Sequence, residues 1–235
     1  MSFERVLQKR LSGYLNRSSL TRPQLSDTLK EIALLLPETV IFGGMIREFA
    51  LGNARGFFSD IDLVTLSPRK ELSDAVAKFT PVVNKFDGFR FVANAHRFDI
   101  WSLPDTWAFR QGIVTGSTFD DLLNTTFFNV DAAIFHLSTR ELNFLNGYET
   151  WIQERVLDIN LSENFRPENM IRRVMSLVIY RQMGLTNKLG DYVVKNYPGV
   201  FCSPIESLVL SQIKFHIEMG SSNVFRFDPQ RKLID

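Results

Sequence analysis

The sequence predicts an α+β protein, with a mixed sheet flanked by helices over residues 1–160 and a helical part over residues 161–235. Three observations carry this. Short apolar or alternating runs, bounded by glycine, proline and asparagine, recur between Glu38 and Leu103 and are interleaved with segments of helical period. From Arg166 onward the apolar spacing is helical. The 235 residues are 45% hydrophobic and include 21 Phe, enough for a sizeable core in which each ring hides roughly 150–250 Å².

Phe3, Val6, Leu7, Leu11 and Leu15 recur at helical spacing and predict a short amphipathic helix whose role is packing. Thr21 is a polar cap before Pro23, and QLSDTLKEIALLL continues as a helix that stops before Pro37. Glu38 to Phe42 is the first strand. After Gly44, Met45, Ile46, Phe49 and Ala50 share one helical side, Arg47 and Glu48 take the other, and Gly52 ends the helix. Asn53 to Phe58 reads as a loop. SDIDLVTL is a strand with Ile61 and Leu63 inward and Asp60 and Asp62 opposite, and Ser67 and Pro68 open a helix through Phe79. Phe89 to Ala93 and Arg97 to Leu103 predict a hairpin about Asn94, Ala95 and His96, with Arg97, Asp99 and Trp101 on one face. TFDDLLNTTFFNVDAAIFHL reads as a buried helix or helix pair whose two aspartates suit a helix N-terminus. Met170, Val174, Leu177 and Val178 stripe a helix over residues 166–183, and Ile205 to Met219 is another. Pro198, Ser203 and Pro204 punctuate this last third.

Charge is balanced, 27 Lys and Arg against 26 Asp and Glu for a net +1, so a nucleic-acid partner would need a local basic patch. The single cysteine, Cys202, forms no internal disulfide and reads as structural, and no Cys/His cluster argues for zinc. A reducing, cytoplasmic setting is the expectation. MSFERVLQKRL has no signal-peptide core and no later run supplies about 18 apolar residues, so a soluble protein without a membrane partner is expected.

The chemistry concentrates in Ile41 to Thr65. Two residues apart on a strand, Asp60 and Asp62 have Cα atoms about 6.6 Å apart and side chains on one face. Two ionised carboxylates so close repel unless a cation joins them, which calls for Mg²⁺ or Mn²⁺. Asp99 on a nearby strand is the natural third carboxylate. Such a set suits two metals about 3.5–4 Å apart and in-line phosphoryl or nucleotidyl transfer. Gly43 and Gly44 let main chain approach a ligand, and the helix that follows offers N–H donors to a triphosphate. A lone Asp-x-Asp on a solvated strand is commonly surface charge; the combination with the glycine pair is what points to a site. His96 and His136 read as turn or core histidines. Trp101 and Trp107 suit packing, with base stacking as the alternative.

GGMIREFALGNARGFFSDIDLV resembles the GGxVRDxLLG…DIDhV signature of the class II tRNA nucleotidyltransferase and poly(A) polymerase head domain, in the DNA polymerase β-like nucleotidyltransferase superfamily. Glu48 stands where the family has Asp. The resemblance implies that fold for the front of the chain with a neck-like helical part behind. It implies Gly43, Gly44 and Arg47 around the NTP triphosphate, Asp60 and Asp62 as metal ligands, and Asp99 as a third ligand or base. NTTFFNVDA resembles the family's RRDFTINA segment, with Asn129 on its Asn and Leu123, Asn124 and Thr125 where the family has Arg-Arg-Asp. ENMIR, residues 168–172, resembles the base-selecting EDxxR motif, implying Glu168, Asn169 and Arg172 at the base. Asn169 replaces an Asp, and its amide donates as well as accepts, so base preference would differ. The alternative for this segment is a helix bearing solvated charge.

The implied activity is metal-dependent transfer of NMP from an NTP to an acceptor hydroxyl, best an RNA 3′ end and tRNA first. A protein or small-molecule hydroxyl is the alternative, and a non-catalytic nucleotide-binding partner a third reading. The resemblance covers residues 35–183. Family members generally carry longer body and tail regions for tRNA, so a smaller RNA feature, assembly with a partner, or a different acceptor is expected.

Overall fold

A computed structural model of the chain describes residues 1–16, 23–54, 57, 59–163, 166–197, 199, 203–220 and 222–231. The expectations at Thr21, Phe58, Pro198 and Cys202 lie outside these residues. The chain divides into two compact units, one of Met1–Thr126 with Val130–Glu149 and one of Phe127–Asn129 with Thr150–Asp235.

The first unit runs α1 (Phe3–Asn16), α2 (Pro23–Leu35), β1 (Thr39–Phe42), α3 (Gly44–Ala50), β2 (Ile61–Thr65), α4 (Arg69–Val76), β3 (Val82–Val83), β4 (Phe89–Ala93), β5 (His96–Ser102), α5 (Trp107–Arg110), α6 (Phe119–Leu122), β6 (Ala133–His136) and β7 (Leu142–Phe144). Among the described residues these strands form a seven-stranded sheet in the order β3-β4-β5-β2-β1-β6-β7. Only β2 and β5 pair in parallel there, since the chain crosses through α4 before returning beside β2. The predicted mixed sheet flanked by helices is therefore observed.

Local sequence explains most of these elements. Phe89, Phe91 and Ala93 are buried while Arg90 and Val92 are exposed, the two-residue period of a strand with one covered face. The β4–β5 hairpin closes through Asn94 (φ 53°) and Ala95 (φ 64°), the left-handed pair of a tight turn, and Asn94 donates to Thr28 Oγ1 at 2.9 Å. Phe79, Phe91 and Phe98 stack in series at 4.7 and 5.1 Å between ring centroids, so part of the phenylalanine content becomes one aromatic column. Val40, Val64, Leu122, Ala132 and Ile134 pack together as a buried cluster.

The stretch from Thr118 to Leu137 departs from the expectation of a helix or helix pair. Its start is helical: Thr118 and Asp121 form a capping box on α6, as the aspartates foretold. The chain then passes through 3₁₀ turns at Leu123–Thr125 and Asn129–Asp131 into β6, which pairs with β1 and β7. AAIF, residues 132–135, is apolar throughout because β6 lies inside the sheet and these residues are buried on both faces, and such a run has no two-residue alternation to betray it.

After α7 (Tyr148–Glu154), the second unit holds α8 (Pro167–Arg181), α9 (Asn187–Asn196) and α10 (Pro204–Met219). Ile171, Val174, Met175, Leu177 and Val178 form the buried stripe of α8, and Ser203 with Glu206 makes a capping box on α10. The unit is not purely helical: β8 (Val156–Leu157), β9 (Gly184–Thr186) and β10 (Val224–Phe225) form a three-stranded sheet. These strands are too short to show a period, and they depend on Gly184, where an added Cβ would lie 2.9 Å from the Phe225 carbonyl oxygen. Among the described residues no helix is long and apolar enough to cross a membrane.

Candidate active site

The parallel register of β2 and β5 sets Asp62 beside Asp99. Residues in register on adjacent strands point to the same face, so the two carboxylates project together, and Asp60, two residues before Asp62 and just outside β2, extends the row. The three carboxylates predicted to act together thus share one face of the sheet. Asp99 is only 4% exposed, whereas Asp60 and Asp62 are partly open.

Two arginines of the β4–β5 hairpin answer this charge. Arg90 lies directly across from Asp99 in the antiparallel register. Its Nε donates to Asp99 Oδ1 at 2.9 Å and its Nη2 to Oδ2 at 2.6 Å, a two-pronged bond, while Nη2 also stands 3.6 Å from Asp60 Oδ2. The hydrogen bonds to Asp99, together with the charges of Asp99, Asp60 and Asp62, raise the Arg90 pKa above its ordinary value against a smaller opposing effect of desolvation. Asn84 donates a third bond to Asp99 Oδ1 at 3.0 Å. The loop holds that amide in place, since Asn84 Oδ1 accepts from the N–H groups of Phe86 (2.9 Å) and Gly88 (3.1 Å). Trp101 closes over the same loop: a Cβ on Gly88 would fall 2.2 Å from its Nε1. Trp101 therefore packs on backbone, the plainer of its two readings. Arg97 Nε forms an ion pair with Asp60 Oδ1 at 2.7 Å, and among the described residues that buried oxygen accepts no hydrogen bond.

The glycine turn leaves β1, the antiparallel neighbour of β2. Gly43 caps α3 at φ 71° and ψ −121°, a conformation open to glycine and strained for other residues. Its N–H is spent on the Ala133 carbonyl at 3.1 Å, so the donors left for a ligand are those of Gly44 and Met45, which have no intrahelical acceptor. Arg47, expected around a triphosphate, is mostly enclosed beside this turn, its Nη2 3.6 Å from where a Cβ on Gly44 would stand. Its Nη1 bonds Asp131 Oδ1, and Nη2 and Nε each lie 3.3 Å from Glu48 Oε1. Burial acts to lower its pKa, and the charges of Asp131 and Glu48 outweigh that and raise it. Glu48 in turn accepts from Asn53 Nδ2 at 2.7 Å. The pairing with Asp131, 84 residues away along the chain, had no local sequence signal.

Asn129, Glu168, Asn169 and Arg172 belong to the second unit. Asn129 is 2% exposed and fully engaged: Nδ2 donates to the Val156 carbonyl at 3.1 Å and Oδ1 accepts from Asp158 N at 2.9 Å. It ties the 127–129 segment to the 156–158 segment. Glu168, Asn169 and Arg172 occupy the first turns of α8, with Glu168 and Arg172 exposed. His136 packs edge-on against Phe119 at 5.3 Å, and Trp107 begins α5.

Does the acidic end suit a divalent cation? Asp60 and Asp62 do, as partly open hard oxygen donors, with Asp60 Oδ1 accepting no hydrogen bond from the described residues. Asp99 fits less readily, because Arg90 and Asn84 already donate three bonds to its two oxygens. Consistently, among the described residues no group of three or more His, Cys, Asp or Glu side chains is disposed to hold a metal ion.

No protein-family model and no curated protein matches the sequence. Solved structures do. The chain is similar to a CCA-adding enzyme in complex with CTP, with a TM-score of 0.59 and 19% identity over 91% of this chain and 51% of that one. It is similar to the Thermotoga maritima CCA-adding enzyme complexed with tRNA (TM-score 0.56, 17% identity, 79% of this chain and 44% of that one). A tRNA nucleotidyltransferase with a primer tRNA and an incoming ATP analogue matches at TM-score 0.53 and 14% identity, over 71% of this chain and 49% of that one. The fold is thus that of CCA-adding enzymes, and the chain spans about half their length or less.

Proposed function

We propose that this chain is a nucleotidyltransferase that moves NMP from an NTP to an acceptor hydroxyl at an RNA 3′ end, with tRNA the first acceptor to try. One observation carries the reading: Asp60, Asp62 and Asp99 project from one face of the β2–β5 pair in register, beside the glycine turn that leaves β1. The fold supports it, since the solved structures that share it are described with CTP, an ATP analogue and tRNA.

In this reading the main chain at Gly44 and Met45 receives phosphate oxygens, and Gly43 allows the close approach. Arg47 braces the turn through Asp131 and Glu48. Asp60 and Asp62 would hold Mg²⁺ or Mn²⁺, which when bound supplies charge neutralisation for the attacking and leaving oxygens. A bond forms between the acceptor oxygen and the α-phosphorus, the bond from that phosphorus to the bridging oxygen breaks, and pyrophosphate leaves. The hydroxyl proton passes to a carboxylate of this face or to water.

The test incubates purified protein with each labelled NTP, Mg²⁺, and either total RNA or a lysate, beside Asp62→Ala. Label in RNA that disappears in the variant is the expected result. Label in protein or in a small molecule would keep the chemistry and move the acceptor. Equal labelling by Asp62→Ala would overturn the carboxylate assignment.

A further inference from the structure

Arg90 reaches both the buried and the open carboxylate of this face, bonded to Asp99 and 3.6 Å from Asp60. Its side chain is nonetheless 46% exposed. The Asp99 bonds use two of its five donors and leave the rest of the fork turned outward. The opposite end of the pair is rigid: Asp99 is buried, Asn84 bonds it, Gly88 and Phe86 hold Asn84, and Trp101 covers Gly88. A metal ion in the place of Arg90 would have to break two charge-assisted hydrogen bonds to Asp99 and crowd the Asn84 amide, so Asp99 is better placed to hold Arg90 than to ligate a metal ion. A guanidinium fixed this way is a preformed cation with a planar fork suited to phosphate.

We propose that Arg90 is a further triphosphate-binding residue of this site, and that Asp99 is its positioning residue rather than a metal ligand. The proposal rests on the nucleotidyltransferase reading and deepens it. Arg90 takes up non-bridging phosphate oxygens of the NTP through its outward donors while Asp99 keeps the guanidinium aimed. The cation site is then the pair Asp60 and Asp62 alone, with Arg90 supplying the positive charge on its Asp99 side.

The two roles move metal and nucleotide binding in opposite directions. Arg90→Gln, Asp99→Asn, the double variant and Asp62→Asn are compared with wild type in two titrations: Mn²⁺ alone, read as free Mn²⁺ by electron paramagnetic resonance, and ATP and CTP with Mg²⁺, read by calorimetry. Arg90→Gln is expected to weaken nucleotide binding about tenfold while leaving Mn²⁺ affinity equal or higher, because a cation near Asp60 has gone. Asp99→Asn should lose as much nucleotide affinity with Mn²⁺ binding changed by less than about twofold, and the double variant should be no worse than either single. Arg90→Lys should recover part of the loss, as a point charge without the fork. The proposal is overturned if Asp99→Asn weakens Mn²⁺ binding as strongly as Asp62→Asn, or if Arg90→Gln binds nucleotide like wild type. Should Asp99→Asn fail to fold, the half-exposed Arg90→Gln and Arg90→Lys decide alone. Wild type that binds no nucleotide overturns this proposal together with the reading beneath it, whereas nucleotide binding indifferent to Arg90 overturns only this one.

Discussion

Two arginine–carboxylate clusters lie in the same unit and serve opposite ends. Beside the glycine turn, Arg47, Asp131 and Glu48 have side chains only 12%, 7% and 9% exposed. At the acidic end, Arg90 and Arg97 are 46% and 61% exposed, above an Asp99 that is 5% exposed at its side chain. The chemistry of the pairs is the same, yet burial gives them different work. A guanidinium enclosed with its carboxylates cannot give them up without stranding charge, so Arg47 ties Asp131 and Glu48 together. A guanidinium anchored on one side and open on the other can accept phosphate without leaving its anchor.

The sharpest way to break this comparison is Arg47→Ala. With Asp131 and Glu48 left buried and uncompensated, the loss is expected to be about 3–5 kcal/mol. That corresponds to a fall in melting temperature on the order of 10 °C. Adding Asp131→Asn should cost less than the sum of the two singles, and a urea-denaturation cycle measures that coupling. A loss below about 0.5 kcal/mol would mean the buried cluster is no scaffold.

A smaller effect lies beside it. Tyr148 is buried with its hydroxyl unpartnered, and burial first, then the charge of Asp131, pushes its pKa well above the ordinary value of 10.0. The folded state therefore holds the phenolic proton more tightly than the unfolded chain. Its contribution is full below pH 10 and drains away above it, at about 1.4 kcal/mol per pH unit. Tyr148→Phe should leave the urea midpoint at pH 8 unchanged or slightly raised and flatten the alkaline limb. An identical alkaline limb in the variant would place the ionisation elsewhere.

The smallest effect is expected at Arg97. Its contact with Asp60 is exposed, so Arg97→Ala should change stability by about 0.2–1 kcal/mol, and 1 M salt should erase the difference. A larger, salt-insensitive loss would put Arg97 with Arg47 rather than with the open cluster.

Much of the site was legible because its logic is local. Gly43 and Gly44 precede a helix by adjacency, Asp60 and Asp62 share a face by strand period, and the Asn94–Ala95 turn follows from residue type. Asp99 was reachable too, since the hairpin period puts it on the charged face. Arg90 could have been found one step further, as the residue four short of the turn that faces Asp99 across it. The internal strand β6 was read as helix, because a run buried on both faces loses the alternation that marks a strand.

What the sequence determined by itself, then, is the order of strand, glycine turn, helix and acidic strand, because chain adjacency and the two-residue and 3.6-residue periods require nothing beyond neighbours. What only the tertiary structure decided is who meets whom. The parallel register of β2 and β5 brings Asp62 beside Asp99, Asp131 returns to pair with Arg47, and Asn129 bonds the Val156 carbonyl. Those outcomes depend on burial and on contacts between distant segments, which set whether a charge is buried with a protein partner or left open to a ligand.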